Sequence, residues 1–227
     1  MSIAKKYILT IALMGFVTYS AQGALFEQVL PNAPLNGIYS DSEPGGIADD
    51  FTLSMDSWVT TATWYGYYAD DDLVPGVTSV DFLVRFYSDS ADLPATDPTD
   101  PYYENALTAS VADSGLVVAV SGGSSSDGRI IYAFTADLSS SPVLVNAGDK
   151  TWLSVVENST GDPRWSWSRY DNTTQGMVFW SSIQNDWASS NGDMAFSLDG
   201  TVVPVPGAFL LGMLGLSIAG VKLRKFA

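Results

Sequence analysis

Between Val80 and Tyr87 the chain reads VDFLVRFY. Val80, Phe82, Val84 and Phe86 take every second place, with Asp81, Arg85 and Tyr87 among the places between. Wound at about 3.6 residues per turn, those apolar groups would spread around a helix. Drawn out as a strand, they line one face. The same period runs through RIIYAFTADL, from Arg129 to Leu138, with Ile130, Tyr132, Phe134 and Leu138 in step. Seven further runs carry the β-branched and aromatic residues that suit a pleated surface: ADDFTL, WVTTATWYGYY, LVVAVS, TWLSVVE, RWSWSRY, GMVFW and MAFSLDG. Turn-forming clusters separate them, among them DSEPGG, DDDLVPG, TDPTDP, SGGSSSDG, NAGD, NSTGDP and SSNGD. No window between them carries a helical period. Many short strands at this spacing predict a single antiparallel β-sandwich, of jelly-roll or Greek-key type, over residues 24–201.

That body has a size that supports one core. The chain contains no cysteine and no histidine. Disulfides and thiol nucleophiles are therefore excluded, as are Ser-His-Asp devices and imidazole-based zinc sites.

Charge divides the chain into three parts. All 25 acidic residues fall between Glu27 and Asp199, where only Arg85, Arg129, Lys150, Arg164 and Arg169 oppose them. Five cations against 25 acids leave that span at −20, which repels phosphate and argues against nucleic acid as a partner. The remaining cations flank apolar stretches at the two ends. Lys5 and Lys6 precede YILTIALMGFVTYS, and Ala21-Gln22-Gly23 supplies small residues before Ala24. This is the pattern of a cleavable secretory signal over residues 1–23. From Val202 to Val221 no residue is charged, and Lys222, Arg224 and Lys225 follow. Pro204 and Pro206 delay the start of a helix, so a transmembrane helix is predicted over 207–223, with its basic tip in the cytoplasm and the acidic body outside.

The tail resembles the PEP-CTERM class of sorting signals. Val202 or Val203, Pro204, Pro206 and Ala208 match its opening, LLGMLGL (Leu210 to Leu216) its Leu/Gly-rich helix, and KLRK (Lys222 to Lys225) its terminal basic cluster. Val205 stands where that class usually has Glu, so the tail is nearer the variant with an apolar residue there. The resemblance covers about the last 25 residues and implies a segment, residues 202–227, read by exosortase, a membrane-embedded transpeptidase-like enzyme. Val203, Pro204, Pro206, Ala208, Lys222, Arg224 and Lys225 would then carry the signal. The order of ADDFTL, ATWYGYY, FLVRFYSDSADLP, AGDKTWLSVVE, WSWS and MAFSLDG also resembles a β-sandwich domain common ahead of such tails. That likeness implies a fold and a surface role, with no activity attached.

Three constellations are candidates for chemistry. Asp70, Asp71 and Asp72 share a loop, as do Asp97 and Asp100, and clustered carboxylates suit Ca²⁺. Against this, the spacing matches no calcium-loop motif, and acidic loops also simply solvate an exported surface. Calcium is the one cofactor considered; otherwise none is expected. RWSWSRY places Trp165 and Trp167 on one strand face, with Tyr170 on the other and Trp180 and Trp187 soon after. Exposed, such rings make a platform for sugars; turned inward, Trp165 and Trp167 fill the core. A glycosidase needs two carboxylates across the scissile bond, and among 25 acids no pair is singled out. The tripeptides NST at Asn158 and NTT at Asn172 fit the glycosylation pattern, and in a bacterium carry little weight.

Two function classes follow. The first is an exported, non-enzymatic surface or matrix protein with a structural or adhesive role, whose partners are the membrane, an exosortase-like enzyme and extracellular polysaccharide. The second is a lectin-like carbohydrate-binding module. A glycoside hydrolase comes third.

Overall fold

The computed structural model describes residues 24–28, 30, 35–40, 46–68, 77–118, 128–158, 165–171, 176–181 and 183–204. Every regular element among them is a β-strand, and every pairing is antiparallel. The strands are β1 (Phe26–Gln28), β2 (Leu35–Tyr39), β3 (Ile47–Thr52), β4 (Ser57–Tyr68), β5 (Ser79–Ser90), β6 (Leu93–Pro94), β7 (Tyr103–Val118), β8 (Arg129–Asp137), β9 (Val143–Val145), β10 (Lys150–Glu157), β11 (Trp165–Asp171), β12 (Met177–Ser181), β13 (Asp186–Ser189), β14 (Asp193–Met194) and β15 (Phe196–Val202). Side by side they run β1-β15-β4-β8-β7-β5-β10-β3-β12-β13. β11 joins β4, β2 and β14, while β9 and β6 add to β4 and β5.

The sheet folds over on itself. β4 and β5 are separated by β8 and β7, yet Phe82 of β5 meets Trp64 of β4 edge-on, with ring centroids 5.0 Å apart. Phe82 also touches Phe134 at 5.1 Å and Trp165 at 5.1 Å. Phe51 of β3 reaches Phe196 of β15 at 6.0 Å and Phe26 of β1 at 5.5 Å. Val80, Phe82, Val84 and Phe86, the period-two set, all join this one core. Each fully buried aromatic adds about 2–3 kcal/mol by leaving water, and edge-to-face contacts add to that.

One strand is far longer than its sequence signal. LVVAVS marks only the end of β7, which begins thirteen residues earlier at Tyr103, ahead of Leu116. Asp113-Ser114-Gly115 has the composition of a turn but forms a bulge within the strand. Asp113 pairs with Tyr132, the next pair is Leu116 with Ile131, and Gly115 takes a φ of 74°. The Ser114 hydroxyl donates to Ile131 O at 2.6 Å, and Asp113 Oδ1 accepts from Gly115 N at 2.8 Å. Side chains thus satisfy the backbone that the bulge frees from the ladder.

A second, smaller cluster lies on the outer face of β3, β5, β10, β12 and β13. Ala48, Tyr87, Trp152, Val178 and Trp187 form it, with Leu93 and Trp180 packed against them. The segment after β5 caps it. Tyr87 donates to Pro98 O at 2.9 Å and Trp187 Nε1 to Thr96 O at 2.7 Å.

Candidate functional site

The aromatic residues singled out by sequence do not form one platform. Trp165 and Trp167 are fully buried in the main core, and Gly66 lets Trp165 lie flat on β4, since a Cβ there would collide with its Nε1. Trp167 donates through Nε1 to Ala195 O at 3.0 Å. A stacked sugar has no access to either ring, so the exposed-platform expectation is corrected for this pair: both are buried, with Phe82 and Phe134 packed against Trp165 and Phe196 against Trp167. Trp187 is buried and Trp180 half-buried in the outer cluster, 5.5 Å apart and nearly perpendicular. Tyr170 is exposed at the far end of β11.

Of the sorting-signal positions, Val203 and Pro204 lie among the described residues. Val203 N donates to Asp56 O at 2.7 Å, and Pro204 is exposed. Pro206, Ala208, Lys222, Arg224 and Lys225 lie outside them, as do Asp70, Asp71 and Asp72. Among the described residues no helix is long and apolar enough to cross a membrane, and no three acids gather in a way that could hold a metal ion.

The arrangement with the most chemistry centres on Lys150, at the start of β10. Its ammonium lies 2.8 Å from Asp92 Oδ1 and 3.6 Å from Asp50 Oδ2, and 5.6 Å from the centre of the Trp152 ring. The hydrogen bond to Asp92 raises the Lys150 pKa and lowers that of Asp92. Burial raises the Asp50 carboxyl above its ordinary value, with Lys150 pulling the other way. Asp89 Oδ1 accepts from Trp152 Nε1 at 2.9 Å and so fixes the indole beneath the ammonium.

Local backbone holds Asp92 in place. Asp89 pairs with Pro94 and Ser90 with Leu93, leaving Ala91 and Asp92 as a two-residue hairpin turn. Both have positive φ, 56° and 65°, as a type I′ turn requires. Alanine is a poor occupant of that region, costing about 1–2 kcal/mol. This strained turn brings the Asp92 carboxylate over Lys150.

Recesses open on both sides of Lys150. One, of ≈ 280 Å³, is walled by Asp50, Asp92, Trp152, Gly176 and Ser189. The other, of ≈ 630 Å³, is walled by Ser88, Asp89, Tyr102, Asn146, Asp149 and Thr151. Tyr102 is half-exposed, and desolvation pushes its phenol up to about 12 while a hydrogen bond with Thr151 opposes the shift. Carboxylates, hydroxyls, one ammonium and one accessible ring suit a neutral, hydroxyl-rich ligand and repel an anionic one. Sequence reasoning passed over Lys150. The available signal was scarcity, since it is one of five cations in the acidic span.

No family model and no curated protein matches this chain. Among solved structures, a CocE/NonD family hydrolase from Staphylococcus aureus aligns over 74% of this chain and 36% of its own, at 10% identity and a TM-score of 0.25. A likeness that slight carries no argument about fold or activity.

Proposed function

We propose that this is an exported surface or extracellular-matrix protein with a structural or adhesive role, made with a signal peptide over 1–23 and held by a membrane-spanning tail that an exosortase-like enzyme processes. Its body is a Greek-key or jelly-roll β-sandwich outside the cytoplasm. The observation that carries the reading is the abrupt hand-over at Val203. The last strand ends at Val202, Val203 still bonds to Asp56, and the Pro-Val-Pro stretch begins at the next residue, within an uncharged run that extends from Val202 to Val221. A folded domain that ends where an apolar segment begins is the arrangement expected of an anchored body. Mass spectrometry of the mature protein from its own host tests this: a first residue at Ala24 and a last residue near the prolines are expected. An intact Met1 together with an intact Ala227 would overturn it.

A second reading, a lectin-like module that binds extracellular polysaccharide, is favoured by the recesses on either side of Lys150. In this reading Tyr102 offers a ring face, and Ser88, Thr151 and Asn146 offer hydrogen bonds. Glycan-array binding by the full chain, lost in Tyr102→Ala and Lys150→Ala, is the expected result. Binding unchanged in both variants would remove the site from consideration.

A further inference from the structure

The described body begins, at Ala24, and ends, at Pro204, on the same side of the β1–β15 pair. β15 runs outward through Thr201 and Val202, which pair with Trp58 and Ser57, and the chain departs at Pro204. β1 lies antiparallel to β15, with Phe26 opposite Leu198 and Leu25 N donating to Leu198 O at 2.8 Å. Followed backwards, Leu25 and Ala24 therefore head for the same end, toward the segment that precedes them. Leu25 even reaches Gly200, within 3.0 Å of where a Cβ would stand.

That end carries an exposed apolar patch. Trp58 and Leu144 sit directly opposite each other on β4 and β9, 40% and 42% exposed, and Met55 in the adjoining turn is 49% exposed. The turn is held in place, because Ala147 N donates to Asp56 Oδ1 at 2.7 Å and Gly148 N to Leu53 O at 2.9 Å. The patch is thus a fixed surface that stays in water unless something covers it.

Reach decides what covers it. Only residues 204–206 separate the bonded Val203 from the transmembrane helix expected to begin at 207, and two of the three are proline. At about 3.1 Å per residue for extended, proline-rich chain, they span about 9 Å. The headgroup layer on each side of a bilayer is about 5–8 Å thick. A body tethered so closely would keep this end against the headgroups, a layer in which tryptophan and tyrosine are enriched. Asp56, next to Met55 in the turn and accepting from Ala147 N, borders the patch, and the body around it is acidic, which fits a zwitterionic surface better than an anionic one.

We propose that Met55, Trp58 and Leu144 form a lipid-contacting face that seats the body on the outer membrane–water interface. The proposal rests on the anchored-tail reading above, and its test separates the two. Because the chain has no cysteine, single Met55→Cys, Leu144→Cys and Ile183→Cys variants of the full chain can each carry one environment-sensitive fluorophore. Ile183, 96% exposed, is the control. It follows β12, which leaves β3 past Ile47, the end of β3 remote from Met55. The chains are reconstituted into phosphatidylcholine vesicles, isolated by flotation and probed with spin-labelled lipid. Labels at 55 and 144 should show blue-shifted emission and quenching several-fold stronger than at 183. If the protein floats and all three labels remain in water, the seating is wrong and the anchor stands. If it does not float, the anchor reading falls and takes the seating with it. Shielding of 55 and 144 in detergent without lipid, growing with protein concentration, would assign the patch to a second copy instead.

Discussion

The buried Asp49 carboxylate accepts a 2.8 Å hydrogen bond from Met194 N, tying β3 to β14 across 145 residues of sequence. With its amide turned to satisfy both groups, Gln28 of β1 donates to Asp49 Oδ2 at 3.0 Å and to Met194 O at 2.9 Å. Asp49 is therefore a joint between three strands. Its other oxygen, Oδ1, has no hydrogen-bond partner among the described residues.

Burial raises the Asp49 pKa well above the usual carboxylate range; Asp193 and Asp50 add to the shift, and the Met194 bond opposes it. The folded chain then holds this proton more tightly than the unfolded chain. As pH rises past the unfolded carboxylate value of about 3.9, the unfolded state releases its proton first and gains on the folded state. Stability contributed by Asp49 is lost through that window until Asp49 itself ionises. Asp49→Asn keeps an acceptor for Met194 and has no proton to lose. Its melting temperature at pH 7 should exceed the parent's, with the gap closing toward acid pH. A gap independent of pH would show that Asp49 is not the titrating group.

At the β5–β6 turn, glycine should outperform alanine. Ala91 sits at a φ of 56°, where a side chain is strained. Ala91→Gly should raise stability to urea by about 1 kcal/mol. A loss of that size in equilibrium unfolding would mean that the turn is not under strain.

Phe82 contacts Trp64, Phe134 and Trp165 and is fully buried. Truncation to alanine removes those contacts and leaves a cavity between the two halves of the sheet. A destabilisation of about 3–5 kcal/mol is expected in denaturant titration. By contrast, Tyr170→Ala, at an exposed site, should change stability by less than about 0.5 kcal/mol.

The tail yields two opposed outcomes in the native host. Deleting residues 207–227 should release the body into the medium, since the apolar run is gone. Changing Pro204 and Pro206 together to alanine should leave the protein bound and unprocessed, because a helix can then extend outward through the recognition stretch. Cell fractionation and immunoblotting distinguish these results. Retention of the truncated chain would remove the tail as anchor, and normal processing of the double variant would remove Pro-Val-Pro as signal.

Strand content was legible because it rests on local alternation. Val80, Phe82, Val84 and Phe86 sit every second residue, and no helix can bring such a set to one face. The length of β7 was hidden for an equally local reason: Asp113-Ser114-Gly115 reads as a turn, and only pairing with β8 makes it a bulge. The fate of the tryptophans was open. Period-two spacing says that Trp165 and Trp167 share a face but not which layer they meet, and the folding of β5 over β4 decided for the core. Lys150, Asp50 and Asp92 come together from β10, β3 and the β5–β6 turn, at separations no sequence pattern records. By itself, then, the sequence determined the antiparallel all-β class, since alternation is a property of neighbouring residues. Tertiary structure decided which aromatics are buried and which charges meet, since those depend on strands that pair across long stretches of chain.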